Sequence, residues 1–571
     1  MVPSNGATPQ LPRRTTRWIG LLIAVGYLWL FPWSEAINNP NEMVRVYSVR
    51  ALVENGTYAI GTRTASGDHG PIYDQWGYVN DKALMCTDGG KPPDCHGQLY
   101  QAKAPGVTFL GVIPHAVLRL WYRIWHLGAP SKALIVWWLR LWVVLLPAIA
   151  MWAALARWLP TRLDRPHLGM AVALAGAFGS LSLTYSQTFA GHEPSGVALV
   201  ALFLCTLRAG ASGNPIAVVL AGFFAGWAAC LEFPVGPPAG LLCLWLLARR
   251  RDPWDILRIT VGAFLPIGLL LHNNWCSFGS PFSLAYGHLE NAGFVQDMSP
   301  GFFGIHMLNK ERVWGSLLSP FVGLYFWAPW TMVAWLGWLG VLKARREGDN
   351  WLLDRRGEAF VSLLVCLYFL YFQCSLSLWR SGWVIGPRYV TAMIPFAAIA
   401  TAHAVDSMCG KFAVVGALMI AVTGAVAISV TGVTTSVVTG APPEVYNPLA
   451  EMVTPLLLHG WNFDNPLMRL GIRTPWNALP YFVAVALAAG WMVWLSWQGV
   501  SRRRGFVIAG MAVSVLLAAV WVRGLWRIDG HRTQADRDTT VRFFMETWSP
   551  AHPPGSRPLA PELAKAHPAT H

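Results

Sequence analysis

Residues Gly106 to Leu127 read GVTFLGVIPHAVLRLWYRIWHL, a run apolar enough to cross a membrane that nonetheless carries His115, Arg119, Arg123 and His126 at near-helical spacing. Its placement sets the sidedness of the whole chain. If it lies on the surface, the clusters Arg13/Arg14/Arg17, Arg157/Arg162/Arg165, Arg249–Arg251, Lys343/Arg345/Arg346 and Arg502–Arg504 fall on one side, as the positive-inside bias requires. If it crosses, every cluster after the first is turned outward. The segment is therefore read as an interfacial helix, its basic face on headgroups and its Leu/Val/Ile face in acyl chain.

Outward from this segment the chain is mostly hydrocarbon. Of its 571 residues 54% are hydrophobic and 13% charged, and its mean hydropathy is +0.40, which excludes a soluble enzyme. Apolar runs of spanning or near-spanning length lie at Trp18–Trp33, Lys132–Leu155, Leu168–Gln187, Pro194–Leu207, Pro215–Leu231, Val235–Ala248 and Ile256–Leu271. Others follow at Leu317–Leu342, Glu358–Leu378, Pro387–Ala404, Phe412–Val437, Trp476–Trp497 and Phe506–Val522. The expected fold is an all-α polytopic membrane protein of about thirteen transmembrane helices, with a large first outer loop carrying juxtamembrane helices. Residues 1–17 are read as a cytoplasmic N-terminus and 18–525 as the membrane domain. Within it, 34–131 form the first outer loop and 106–127 its juxtamembrane helix. Residues 526–571 are read as a disordered outer tail. The first apolar run ends in Phe31-Pro32-Trp33 without a small-residue cleavage pattern, so it is read as a retained span.

The net charge of +14 needs no nucleic-acid partner, because much of the excess sits in arginine clusters suited to anionic lipid. Of the nine cysteines, Cys86 and Cys95 share the outer loop and invite a loop-closing disulfide. A zinc site adding His96 has no recognisable ligand spacing; no cofactor is expected, and divalent-metal dependence is left open by the sequence. Asp536-Arg537-Asp538 is read as part of the tail and not as a metal motif. No phosphate-cradling glycine motif occurs and no large cytoplasmic domain is present, so a sugar donor would have to arrive on a lipid.

The ionisable residues of five outer segments face one side: Glu42, Arg45, Lys82 and Lys103 in the first loop, then His192-Glu193, Glu232, Arg312, and Arg380 with Arg388. Read singly, each is a solvated interfacial charge; Asp81-Lys82 is a turn pair and His192-Glu193 a helix cap beside Pro194. Read as a set, acids alternate with bases around one face and suggest a charge-separated transfer. A carboxylate would deprotonate an acceptor while cations hold a departing phosphate. Glu42 is the expected base. Lys103 and Arg388, with Arg380 beside it, are the expected phosphate partners.

These residues resemble the integral-membrane glycosyltransferases of the C-type fold, near the dolichyl-phosphate-mannose protein mannosyltransferase and aminoarabinose transferase branch. The resemblance rests on Asn41-Glu42 after the first span, on Tyr100-Gln-Ala-Lys103-Ala-Pro105-Gly106, and on Phe189-Ala-Gly-His192. It continues through Leu231-Glu232-Phe-Pro234, Phe278-Gly-Ser-Pro281-Phe282 with Tyr286, Ser319-Pro320-x-x-Gly323, and Trp379-x-x-Gly382-Trp383-x-x-Gly386-Pro387-Arg388-Tyr389. The first acidic residue of the family's pair is Asn41 here, which passes the base role to Glu42. The resemblance implies a polyprenyl-phosphate sugar donor, inversion at the anomeric carbon, and a lipid, glycan or protein acceptor at the outer leaflet. It implies Glu42 as base, Lys103 and Arg388 on phosphate, and Asn41, Arg45, Asp81, Lys82, Tyr100, His192, Glu193, Glu232 and Tyr286 around sugar and acceptor. Such a protein is expected in the plasma (bacterial inner) membrane. The alternatives are a lipid-linked glycan ligase or polymerase, given the late loop from Thr439 to Pro475, and a lipid or solute transporter, whose charges belong nearer mid-membrane.

Overall fold

In the computed structural model, residues 13–30, 39–291, 304–339, 354–408, 410–472, 475–498 and 534–547 are described, with isolated positions at 293, 295 and between 508 and 523. Among them, seven helices are long and apolar enough to cross a membrane: Lys132–Arg162, His192–Ser212, Trp254–Phe278, Arg355–Ser375, Arg388–Ser407, Phe412–Thr435 and Trp476–Gln498. Shorter apolar helices cover Arg13–Trp29, Pro166–Phe178, Pro215–Leu231 and Gly236–Arg250. The chain is a polytopic helical membrane protein. The last expected span, Phe506–Val522, lies mostly outside the described residues.

Pro166–Phe178 is the centre of the bundle, with Leu168 through Phe178 buried on every face. Two polar ties fix its surroundings. The Tyr27 hydroxyl donates to the Ala177 carbonyl at 2.6 Å, and the Trp152 indole donates to Ser182 Oγ at 2.7 Å. At the periphery, Trp254–Phe278 turns Ile256, Val261 and Phe264 outward, as a helix facing lipid does.

The run Leu317–Leu342 was expected as one span and is broken among its described residues. Lys310–Leu318 ends at Ser319, a short helix covers Leu324–Trp327, and Pro329–Leu336 continues as a 3₁₀ helix. Pro320 and Pro329 each remove a backbone donor, and Ser319 Oγ caps the bend by accepting from Val322 N at 3.1 Å. Apolarity alone did not reveal the interruption.

The first loop holds the expected helices, Pro40–Arg50 and Gly106–Ile124, together with a sheet that an all-α reading omitted. Strands β1 (Gly61–Thr64), β2 (Gly67–His69), β3 (Lys82–Cys86) and β4 (Gly97–Gln101) pair antiparallel in the order β2-β1-β4-β3. The sheet packs Leu84 and Leu99 with Val44 and Tyr47 of the Pro40–Arg50 helix. Cys86 and Cys95 are joined by a disulfide with Cα atoms 5.7 Å apart, closing the β3–β4 connection across a separation of 9 residues. A loop of this size is worth about 2.5 to 3 kcal/mol in the chain-entropy account. Cys86→Ser is therefore expected to expose amides of β3 and β4 to hydrogen exchange several-fold faster while the membrane helices stay protected.

The Gly106–Ile124 helix has the predicted apolar face, with Ile113, Val117, Leu120, Trp121 and Ile124 exposed. One member of its basic face, His115, turns inward where the whole face was expected on headgroups. His115 is fully buried and its Nε2 lies 2.9 Å from Glu54 Oε1, while Arg119 pairs with Glu54 Oε2 at 3.0 Å. A carboxylate beneath the helix draws His115 inward. Burial pushes the Glu54 carboxyl up, but hydrogen bonds from His115 and Arg50 outweigh it and hold the group well below the ordinary carboxylate range. A carboxyl whose folded pKa is depressed contributes stability that is present above its unfolded value of about 4.3, and that is lost as pH falls through the folded value. Hydrogen-exchange protection of residues 106–124 is accordingly expected to be the same at pH 8 and pH 5, and to drop at both in Glu54→Gln.

The tail expected to be disordered from 526 contains a helix, Gln534–Thr547, anchored by Val541, which is buried in the main apolar core. Asp536 and Asp538 sit two apart on this helix, on different faces.

Candidate functional site

The loop-side ends of several helices converge on one polar cluster, built around Arg45. This side chain is fully buried, and every nitrogen of its fork is used. Its Nε donates to Asn41 Oδ1 at 2.9 Å, Nη1 to the Ala104 carbonyl at 2.8 Å, and Nη2 to Glu232 Oε1 at 2.9 Å. One guanidinium thus pins the Pro40–Arg50 helix, the turn carrying Lys103, and the end of the Pro215–Leu231 helix to each other.

Two glycines let these pieces meet. A Cβ on Gly106 would lie 2.6 Å from the Cys230 backbone, and one on Gly191 would lie 2.4 Å from Glu232 Oε1. Gly106→Ala is expected to push the turn carrying Lys103 away from the Cys230 backbone and to lower thermal stability by about 1 to 3 kcal/mol, the usual cost of overpacking, measurable as a fall in the melting temperature of the detergent-solubilised chain.

Around Arg45 stand the other members. Asp81 lies 3.4 Å from the Lys103 ammonium and holds a left-handed backbone, φ 61°, a conformation that costs energy in a non-glycine residue and concentrates at functional sites. His192 Nδ1 is 3.7 Å from Glu232 Oε1, and its ring stands edge-on to Tyr185 and Tyr389, with centroids 5.6 Å away in each case. The Arg388 guanidinium carbon is 4.9 Å from the Tyr389 ring centroid and its Nη2 donates to the Tyr389 hydroxyl at 3.1 Å, while its buried Nε has no partner among the described residues. Arg388, Arg45 and Lys103 all reach His192 electrostatically. Tyr286 feels Tyr389, Glu232, Arg45 and Asp81 together, and burial pushes its phenol far above its usual range. Three cations and two carboxylates therefore share one site.

The sequence candidates divide cleanly. Asn41, Arg45, Asp81, Lys103, His192, Glu232, Tyr286 and Arg388 come together. Glu42, expected as the base, is closed off. Arg140 grips both of its oxygens at 2.6 Å, and the Phe189 amide donates to Oε1 at 2.6 Å. Lys82 turns into the sheet's own network. Its ammonium donates to Asp68 at 2.7 Å and to the Val79 carbonyl at 3.1 Å, and it lies 3.9 Å from the Tyr78 ring centroid. Burial lowers its pKa, with Asp68 opposing. Tyr100 packs edge-on against Phe278. Glu193 points into the bundle, where Ser182 Oγ donates to it at 2.5 Å. Arg380 lies over Phe321 and holds the late loop through the carbonyls of Pro443 and Val445.

Sequence reading missed Arg140, Tyr185 and Tyr389. Arg140 had a signal: an arginine well inside the apolar run Lys132–Leu155 must be paired. It opens a π-helical stretch, Arg140–Leu145, a local widening common where a helix serves a site. Tyr389 stood at the end of the motif that closes on Arg388 but was given no role, and Tyr185 carried no mark.

No protein-family model matches this chain, and no curated protein does. Solved structures do. ArnT from Cupriavidus metallidurans in the apo state is 16% identical, with 88% of this chain and 78% of that one covered and a TM-score of 0.42. The same protein bound to undecaprenyl phosphate is 14% identical over 96% and 87%, with a TM-score of 0.43. The arabinosyltransferase EmbB from Mycobacterium smegmatis is 14% identical over 92% of this chain and 42% of its own, with a TM-score of 0.39. At these identities and TM-scores the likeness assigns no residue a role, and the site stands on its own geometry.

Proposed function

We propose that this chain transfers a sugar from a polyprenyl-phosphate carrier to an acceptor at the outer face of the membrane, with inversion. The observation that carries the reading is the half-buried Arg388, whose buried Nε has no partner among the described residues, in a cluster with Lys103, Asp81, His192 and Glu232. A guanidinium with an unused buried donor is suited to a phosphate oxygen, and an ammonium whose carboxylate partner is 3.4 Å away exchanges that partner for phosphate readily.

In this reading the base is Glu232 and not Glu42. Arg45 and His192 both address Glu232 Oε1, which orients the carboxylate and leaves Oε2 without a partner among the described residues. Oε2 takes the proton of an acceptor hydroxyl. That oxygen attacks the anomeric carbon, the bond from carbon to phosphate oxygen breaks, and the electron pair leaves on polyprenyl phosphate, whose charge Lys103 and Arg388 neutralise. Asp81 releases Lys103 when the donor arrives. Tyr286 and Tyr389 border the sugar.

The positive clusters Arg157/Arg162/Arg165 and Arg249–Arg251 lie on the end away from the sheet, where Glu358 and Asp255 tether part of them. Under the positive-inside bias that end is cytoplasmic and the cluster faces outward, which supports a donor held in the outer leaflet of a plasma or bacterial inner membrane.

The test is transfer from radiolabelled polyprenyl-phosphate sugars in membranes carrying the full chain. Arg388→Ala is expected to weaken carrier binding at least tenfold, read as a raised donor KM, because one charge-assisted pair is worth about 1.5 to 3 kcal/mol. An Arg388→Ala chain that moves sugar with the wild-type donor KM sinks the assignment. Failure of every carrier to yield labelled product, while carrier changes leaflets, points to a transporter.

A further inference from the structure

A second basic pocket lies elsewhere in the loop. Arg50, Glu54, Trp76, Arg119, Arg123 and His126 are among the residues lining a cavity of about 480 Å³ between the end of the Pro40–Arg50 helix and the far end of the Gly106–Ile124 helix. It is not an extension of the Arg45 cluster. Lys103 and Gly106 sit at one end of the interfacial helix and Arg119 to His126 at the other, roughly 20 Å away at 1.5 Å per residue.

Charge in this pocket is unbalanced. Among the described residues Glu54 is the only acid in its walls, and it already serves Arg50, Arg119 and His115. Arg123 has no partner among the described residues and is exposed. Arg50 is 6% exposed; its Nε and Nη2 are used, its carbon lies 4.2 Å from the Trp76 ring centroid, and its buried Nη1 has no hydrogen-bond partner among the described residues. A buried guanidinium nitrogen left unsatisfied beside a cavity costs energy unless an anion enters. The position selects the anion. The opposite face of the same helix exposes Leu120, Trp121 and Ile124, an apolar and indole surface that rests at the boundary of acyl chain and headgroup.

We propose that this pocket binds the phosphate of a membrane lipid headgroup, as a site separate from the sugar-transfer cluster. Arg119, Arg123 and Arg50 grip the phosphate oxygens, Trp76 closes one wall, and the acyl chains lie along Leu120, Trp121 and Ile124. The inference does not depend on the transfer reading.

The test is saturation binding of a fluorescent short-chain phosphatidic acid to the purified full chain in neutral detergent. Arg119 and Arg123 are solvent-accessible, so Arg119→Gln/Arg123→Gln is expected to fold and to bind at least tenfold more weakly, with Arg50→Gln changed in the same direction. Arg388→Gln is expected to bind as wild type. Unchanged binding in the double variant overturns the proposal, and so does loss of binding in Arg388→Gln, which would move the lipid to the transfer cluster. Inorganic phosphate is the second arm: weak competition, at millimolar concentrations, supports a lipid occupant, whereas competition as strong as that of the lipid itself makes the pocket a site for a soluble anion and overturns it.

Discussion

Glu232→Gln is expected to cut sugar transfer by about 10² to 10⁴-fold, the range spanned by a positioned general base, while carrier binding changes little. The amide keeps an oxygen to accept from Arg45 Nη2, so the staple through Asn41 and Ala104 survives. What disappears is the capacity of Oε2 to take a proton. The separating readout is kcat against donor KM: a lost base lowers kcat, whereas a lost binding contact raises KM. Transfer within threefold of wild type would remove Glu232 from the chemistry. Asp81→Asn, which leaves Lys103 without a formal counter-charge, then becomes the next variant to read.

Glu42→Gln has its largest expected effect on stability. Breaking a buried ion pair from one side costs about 3 to 5 kcal/mol, because the remaining charge is stranded. Here Arg140 would keep its charge with only 11% of its side chain exposed. The companion substitution separates packing from catalysis. Glu42→Leu/Arg140→Met removes both charges and is expected to regain most of the lost stability, measured as melting temperature and as monodisperse yield in detergent. If Glu42→Gln melts within a degree of wild type yet transfers no sugar, Glu42 is the base after all and the Arg140 pair opens during turnover.

The membrane architecture was legible because bilayer solvent leaves a simple trace: long apolar runs with arginines at one set of ends. What escaped was decided by backbone breaks and pairing. Pro320 and Pro329 divide a run whose hydropathy is uniform. The strands of the loop sheet are only three to five residues long, and Lys82-Ala-Leu-Met-Cys86 has no clean alternation. Within the site, residue types were readable and partners were not. Glu42 and Glu232 look equivalent in sequence, each acidic and at a span end. Arg140, 98 positions from Glu42, closes one, while Arg45 merely orients the other. The interfacial helix was visible from charge parity, yet the inward turn of His115 depended on Glu54, which sequence gave no reason to place beneath the helix.

The Glu42–Arg140 pair also orders the birth of the protein. Arg140 lies about 12 Å along its helix from Lys132, too deep to leave ionised in lipid without cost. Its carboxylate is on a segment synthesised earlier, on the far side of the large loop. When the span carrying Arg140 leaves the ribosome, the segment bearing Glu42 has already been made, and Glu42 is expected to lie within reach of the insertion path. The first loop therefore acts as a receptor for the span that follows it, and a truncation ending just after Arg162 should insert that span stably only when residues 39–50 are present.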